Sequence, residues 1–257
     1  MFGYCPLASG SKGNCVYVGT SKTKILVDAG LSAKLTQERL ASFGVDIAEI
    51  DALVISHEHT DHIVGIRTLT QKWNMPVLAN TETAKGIVEQ LGFCPKFKIF
   101  STGETFTFGD ITLHPFTVQH DTLDPVMFTL RLDGIKIGIC TDLGFATTLV
   151  QHQLQECDYL YLESNHEPEM VHASARPPFL KQRILGRSGH LSNGDCGGLL
   201  CRVAHPGLKH VHLAHLSAEC NSHEKAMSVV TSSLKSEGIC LNLDIAPQQC
   251  LGKIIRF

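Results

Sequence analysis

The chain has 257 residues, of which 43% are hydrophobic and 18% charged. That is too much apolar material and too little charge for a disordered chain, and enough for a sizeable core. The net charge of −3 gives no overall sign of a nucleic-acid coat or a membrane-surface binder, while leaving room for a local basic patch.

In chain order, β-like runs are read at 15–19 (CVYVG), 24–30 (KILVDAG), 51–57 (DALVISH), 76–80 (PVLAN) and 97–100 (FKIF). They continue at 105–118, at 127–142, at 159–164 (YLYLES), at 210–217 (HVHLAHLS) and in the closing pair 242–246 and 250–257. The dipeptides Gly109-Asp110 and Asp133-Gly134 are hairpin signals between β-rich flanks. Helical patterns fill 32–44, 63–73, 80–92, 145–157, 179–186, 192–204 and 222–238, several of them ending in Gly. The strands are too numerous for a helical bundle, and the hairpins argue against a purely parallel sheet. The expectation is an α+β fold with two sheets sandwiched between helices, forming one domain over 1–257.

Ten cysteines occur without a C-x-x-C pair, several of them inside apolar runs. The N-terminus lacks the basic and apolar regions of a secretory signal. Reduced, structural thiols and a cytoplasmic location are expected. No apolar run reaches 18 residues, so no membrane span is expected.

The segment SHEHTDH, residues 56–62, places His57, His59 and His62 with Glu58 and Asp61 directly after an apolar run. Other ligand-type residues also fall at the ends of β-like runs: His120, Asp142 and His215. Strands ending on one edge would gather these side chains on loops held by a rigid scaffold. Neutral imidazoles and carboxylates at this density suit zinc or another borderline divalent ion.

The pattern H-x-H-x-D-H after an apolar strand, followed by a later His, a later Asp and a final His, resembles the metallo-β-lactamase superfamily. VDAG (27–30) is similar to that superfamily's first motif. The resemblance covers essentially the whole chain and implies a four-layer αββα sandwich with a dinuclear centre at its edge. Carried over residue by residue, it implies His57, His59 and His120 on one ion and Asp61, His62 and His215 on a second. Asp142 would lie between them, with Asp28 supporting the ligands from behind.

LASGSKGNC (7–15), HDTLDPVMFTL (120–130), LESNHE (162–167), LKQRILGRSGHLSN (180–193) and LAHLS (213–217) resemble a narrower group, the YycJ/WalJ-type proteins. This resemblance implies a metal-dependent nuclease acting on DNA from a 5′ end. The chain departs from that group at Glu167, where the family has Asp, and in HASARPP (172–178), where it has aromatic residues.

The implied reaction is attack on phosphorus by a water shared between two ions, Zn²⁺ or Mn²⁺, with Asp61 orienting or deprotonating that water. His190 and His166 are the candidates for assisting the leaving oxygen. Arg176, Lys181, Arg183 and Arg187 form a run without an acid just before GHLSN. Lys181, Arg183 and Arg187, with Asn165, are read as a phosphate-binding wall, because guanidinium forks match phosphate. A small phosphodiesterase, a thioester or ester hydrolase, and a metal-binding module without catalysis are the alternatives. The sequence leaves the oligomeric state open.

Overall fold

Short runs of β-branched and aliphatic residues, punctuated by Gly, Asn and Asp, become short strands whose ends carry polar loops. The computed structural model describes residues 1–257, which divide into two compact units. The first comprises residues 1–115, 122–126 and 247–257, and the second residues 116–121 and 127–246.

In the first unit, strands β1 (Gly3–Ala8), β2 (Cys15–Gly19) and β3 (Lys24–Val27) pair antiparallel. From β3 the sheet continues in parallel through β4 (Ala52–Val54), β5 (Val77–Ala79) and β6 (Phe97–Ile99). Helices α1 (Ala33–Ala41), α2 (Thr60–Ile63), α3 (Ile66–Trp73) and α4 (Thr81–Leu91) lie between these strands in the chain. Leu26, Leu53, Val77, Leu40, Leu69 and Ile87 share one buried cluster. The start of α4 is set by Asn80, whose side chain accepts from Thr83 N, and its end by Gly92 at φ +63°. A hairpin of β7 (Phe106–Phe108) and β8 (Ile111–Thr117) turns at Gly109, φ +60°.

The second unit carries β9 (Val126–Leu132), antiparallel to β10 (Ile135–Cys140). Their turn, Asp133-Gly134, has φ +49° and +77°, the left-handed pair that a two-residue hairpin needs. β10, β11 (Tyr159–Glu163), β12 (His210–Ala214) and β13 (Leu243–Ile245) then run parallel. Helices α5 (Thr148–Leu154), α6 (Pro168–Ala173), α7 (Pro178–Leu185), α8 (Asn193–Val203) and α9 (His223–Ser236) complete the unit. Leu160, Leu162, Val211 and Leu213 pack with Leu199, Leu200, Val230 and Leu234 of α8 and α9. The last strand of the chain, β14 (Ile255–Arg256), returns to the first unit beside β1.

The elements follow the expected runs, with three additions, one of them a single 3₁₀ turn at Ile47–Glu49. β1 contains Pro6 and Gly3, which weaken a strand signal, and its register shifts between Pro6 and Ala8. α6 is a six-residue helix begun by Pro168, too short to show a period. All ten cysteines are free, and six are buried. Burial pushes the Cys5 and Cys157 thiols up to about 12, so these two act as small apolar side chains. Cys94, Cys240 and Cys250 are exposed and do not belong to the core, against the expectation that all ten are structural.

VDAG owes its last residue to close packing. Gly30 N donates to Asn14 O at 2.9 Å, and Asn14 N donates to Asp61 O at 2.8 Å. A Cβ on Gly30 would lie 1.7 Å from Asp61 O and 2.5 Å from Asn14 N, both of them backbone atoms that have no room to yield. Gly30→Ala should therefore destabilise the fold by about 3 kcal/mol, the upper range for overpacking. Urea unfolding measures it, and a loss below about 0.5 kcal/mol would show that the loop yields.

Candidate metal centre

In the first unit the carboxyl ends of β3 and β4 supply the polar side chains. Asp28 follows β3 in a left-handed conformation, φ +62°, a strained position of the kind that collects at functional sites. Its carboxylate is buried and accepts from Ser56 N at 2.9 Å and from Ser56 Oγ at 2.9 Å. It also faces His62 Nδ1 at 2.8 Å. A carboxylate beside Nδ1 places the imidazole proton there and leaves Nε2 as the donor atom for a cation. Ser56 Oγ, having given its proton to Asp28, accepts from His57 Nδ1 at 2.9 Å, which selects the same tautomer for His57.

α2 is a single turn that follows His59 directly and presents Asp61 and His62 from consecutive positions. The His57 ring centroid lies 4.9 Å from that of His59 and 4.0 Å from that of His62. Asp61 Oδ2 is 3.6 Å from His62 Nε2. The amide nitrogen of Asn14 sits 3.1 Å from Asp61 Oδ2 and 3.0 Å from His62 Nε2. Asn14 is in turn oriented by Gly10 N, which donates to its Oδ1 at 2.8 Å.

In the second unit, Asp142 follows β10, Glu163 ends β11 and His215 follows β12. Asp142 and His215 are also left-handed, at φ +53° and +54°. Glu163 is fully buried. Its Oε1 accepts from His190 Nδ1 and His215 Nδ1, each at 2.8 Å, and its Oε2 from Leu143 N at 3.0 Å and Leu191 N at 3.1 Å. Burial alone would raise the Glu163 pKa. The His190 charge and the hydrogen bonds from His190 and His215 outweigh it and hold this carboxyl well below the usual range. Asp142 Oδ1 lies 3.3 Å from His215 Nδ1, and His120 Nε2 lies 3.9 Å from Asp142 Oδ1. His120 Nδ1 donates to Gly189 O at 3.3 Å, which again leaves Nε2 for a cation.

Each residue of the group Asp142, Glu163, His190 and His215 offers a donor atom within 4.8 Å of the others. The four hydrogen bonds on Glu163 use its lone-pair directions, so its role is to hold His190 and His215. Imidazoles presented through Nε2, with carboxylates beside and behind them, fit a divalent ion of the borderline type.

The structure gives each of the remaining expected residues contacts within the chain. Asn165 is buried, and its amide donates to His215 O at 2.7 Å, so it braces His215. His166 is buried with no hydrogen-bond partner at Nδ1, and desolvation lowers its pKa. Lys181 Nζ donates to His172 O at 2.6 Å. Arg183 forks onto Asp121 at 2.5 and 3.2 Å. Arg187 lies over the Phe145 ring at 4.1 Å, and Arg176 pairs with Glu219 at 2.9 Å. Glu163, Ser56 and Asn14 were not singled out from the sequence. Glu163 had a signal, because it ends an apolar run as the candidate ligands do. Ser56 and Asn14 had only their place inside motifs.

The superfamily resemblance is borne out by comparison with known proteins. A family model described as a β-lactamase superfamily domain matches residues 23–213. The chain is 37% identical over 235 residues to exodeoxyribonuclease YycJ of Bacillus anthracis, covering 90% of this chain and 89% of that protein. It is 36% identical over 247 residues to exodeoxyribonuclease WalJ of Streptococcus pneumoniae, covering 95% and 92%. The crystal structure of the metallo-β-lactamase fold protein YhfI from Bacillus subtilis matches with a TM-score of 0.74 at 15% identity, covering 96% and 97%. That likeness shows the fold, and with it the expected α+β class.

Glu163→Gln keeps the size of the side chain but removes the charge and places an amide nitrogen against one of its four donors. Metal affinity, titrated calorimetrically, should fall about 10- to 100-fold, the usual cost of losing such a support. Unchanged affinity would assign Glu163 to packing alone.

Proposed function

The chain belongs to the metallo-β-lactamase superfamily, and from that premise we propose that it is a dinuclear metal-dependent phosphodiester hydrolase that degrades DNA from a 5′ end. The reading is carried by the tautomers held by Asp28 and Glu163, on a chain 36% and 37% identical to two proteins named exodeoxyribonucleases. His57, His59 and His120 would hold one ion, and Asp61, His62 and His215 the other, with Asp142 shared, as the superfamily pattern assigns them. Zn²⁺ and Mn²⁺ both suit this donor set. The two units are read as parts of one superfamily domain, since a single family model runs through both.

Bound divalent ions supply acidification of water and neutralisation of charge on the phosphate oxygens. The rest is done by the chain. Asp61, which accepts from the Asn14 amide, orients the attacking water and takes its proton. His190 hands a proton from Nε2 to the leaving oxygen while Glu163 steadies its Nδ1 side. His190 suits this step better than His166, because its side chain is part exposed while His166 is buried and held neutral. A cytoplasmic setting agrees with ten free cysteines, and no helix is long and apolar enough to cross a membrane.

Digestion of 5′-phosphorylated, end-labelled duplex DNA with Mn²⁺ or Zn²⁺ tests the proposal. Wild type should shorten the strand stepwise from the 5′ end, and His59→Ala or Asp61→Ala should lower the rate by at least about 100-fold. Full metal loading without cleavage would sink the DNA reading and turn the search to small phosphodiesters. Chelation should abolish cleavage and lower the melting temperature, since an ion bound only by the folded state stabilises it. A chelator-insensitive nuclease activity would contradict the metal requirement.

A further inference from the structure

α7 is an eight-residue helix with no fully buried residue; Leu180 and Ile184, four apart, are its half-buried apolar side chains. Its most prominent side chain is Phe179, 66% exposed, the most exposed large hydrophobic residue of the chain. Ionic and polar contacts also fix the helix. Arg183 forks onto Asp121, the neighbour of His120, and Lys181 Nζ caps His172 O. Just beyond the helix, His190 N donates to Ile184 O at 3.1 Å, and Gly189 O receives His120 Nδ1. The end of α7 is therefore built into the His120 and His190 cluster.

The charge of the segment that carries Phe179 has one sign. No Asp or Glu occurs from Met170 to Gly194, while Arg176, Lys181, Arg183 and Arg187 lie in that stretch. Asp121 and Glu219 offset Arg183 and Arg176. Lys181 bonds a carbonyl and Arg187 lies on a ring, so neither charge is offset in those contacts. Phe179 and Arg183, four residues apart, share a helix face, with their Cα atoms about 6 Å apart along the axis. Leu185, six residues on, falls on a different face. The surface is thus a single aromatic face among cations, without the contiguous apolar centre that an interface between two copies uses. An aromatic face beside positive charge is the platform that single-stranded nucleic acid uses, with bases stacked on the ring and phosphates on the cations.

We propose that Phe179 is a base-stacking residue that receives a nucleobase of the substrate strand entering the His120–His190 cluster. This rests on the nuclease reading and adds a subsite to it. The recognition is of any base, because every base presents a π face.

The test measures fluorescence anisotropy of a 5′-phosphorylated, phosphorothioate-linked oligodeoxynucleotide with Mn²⁺ present, for intact strands and for strands carrying one abasic site near the 5′ end. Wild type should bind the strand with one particular abasic position roughly 5- to 100-fold more weakly than the intact strand. Phe179→Ala should lose a similar factor on the intact strand and become indifferent to that abasic position. Phe179→Trp should restore affinity, whereas Phe179→Leu, apolar but without a ring, should not. Intact-strand binding by Phe179→Ala and Phe179→Leu equal to wild type overturns the inference. So does the same binding accompanied by a dimer-to-monomer change in light scattering, which would assign the ring to a second copy of the chain. Stacking without metal-dependent release of nucleotides from an unmodified strand would uphold the subsite and overturn the nuclease reading. Absence of any binding by wild type overturns both.

Discussion

Two buried carboxylates govern the polar chemistry of this protein, Asp28 in the first unit and Glu163 in the second. A carboxylate taken out of water loses hydration worth many kcal/mol, and it stays ionised only where hydrogen bonds replace that hydration. Ser56 supplies backbone and hydroxyl donors to Asp28, and Leu143 and Leu191 supply backbone donors to Glu163. The remaining acceptor capacity is met by imidazole Nδ1 of His62, His190 and His215. The same contact does two things. It satisfies the buried charge, and it turns Nε2 of His62 and His215 towards a cation and leaves Nε2 of His190 for proton transfer.

That arrangement depends on where strands end. Asp28, Asp142 and His215 each follow a parallel strand in a left-handed conformation that non-glycine residues seldom adopt. The turn redirects the chain within one or two residues of the strand's end. Such positions cost free energy, on the order of 1 kcal/mol or more each, and persist where the surroundings over-determine them. Here the surroundings are backbone hydrogen bonds: Asp28 N to Val54 O, Ala29 N to His62 O, and Gly30 N to Asn14 O. The cluster and the fold of the first unit are therefore one network, and a fault at Gly30 of VDAG reaches the candidate ligand Asp61 directly through its backbone oxygen.

α7 obeys a different economy. Its side chains are at most half-buried, and a salt bridge and a carbonyl cap add polar contacts that help locate it. Exposed ion pairs contribute little to stability, roughly 0–1 kcal/mol each. Such a segment can exchange its carboxylate partner for another anion at small cost, which suits an element meant to meet a charged polymer.

The ligand motif was legible in the chain because the spacing in SHEHTDH is local: consecutive residues at a strand end and a one-turn helix place their own side chains. The hairpin at Asp133-Gly134 was legible for the same reason, since the dipeptide itself favours the left-handed turn. Glu163 was not, although it ends an apolar run like the ligands, because its partners, His190 and His215, lie 27 and 52 residues away. Asn165 and Arg183 read as phosphate contacts from their types and their places, at a strand end and just before GHLSN. Only tertiary structure turned one inward against His215 and latched the other to Asp121. Local spacing determines which donors a chain can offer. Which of them are held, offset or left to a ligand is decided by the hydrogen bonds of residues far apart in sequence, because a buried polar group must find its partner wherever the fold brings one.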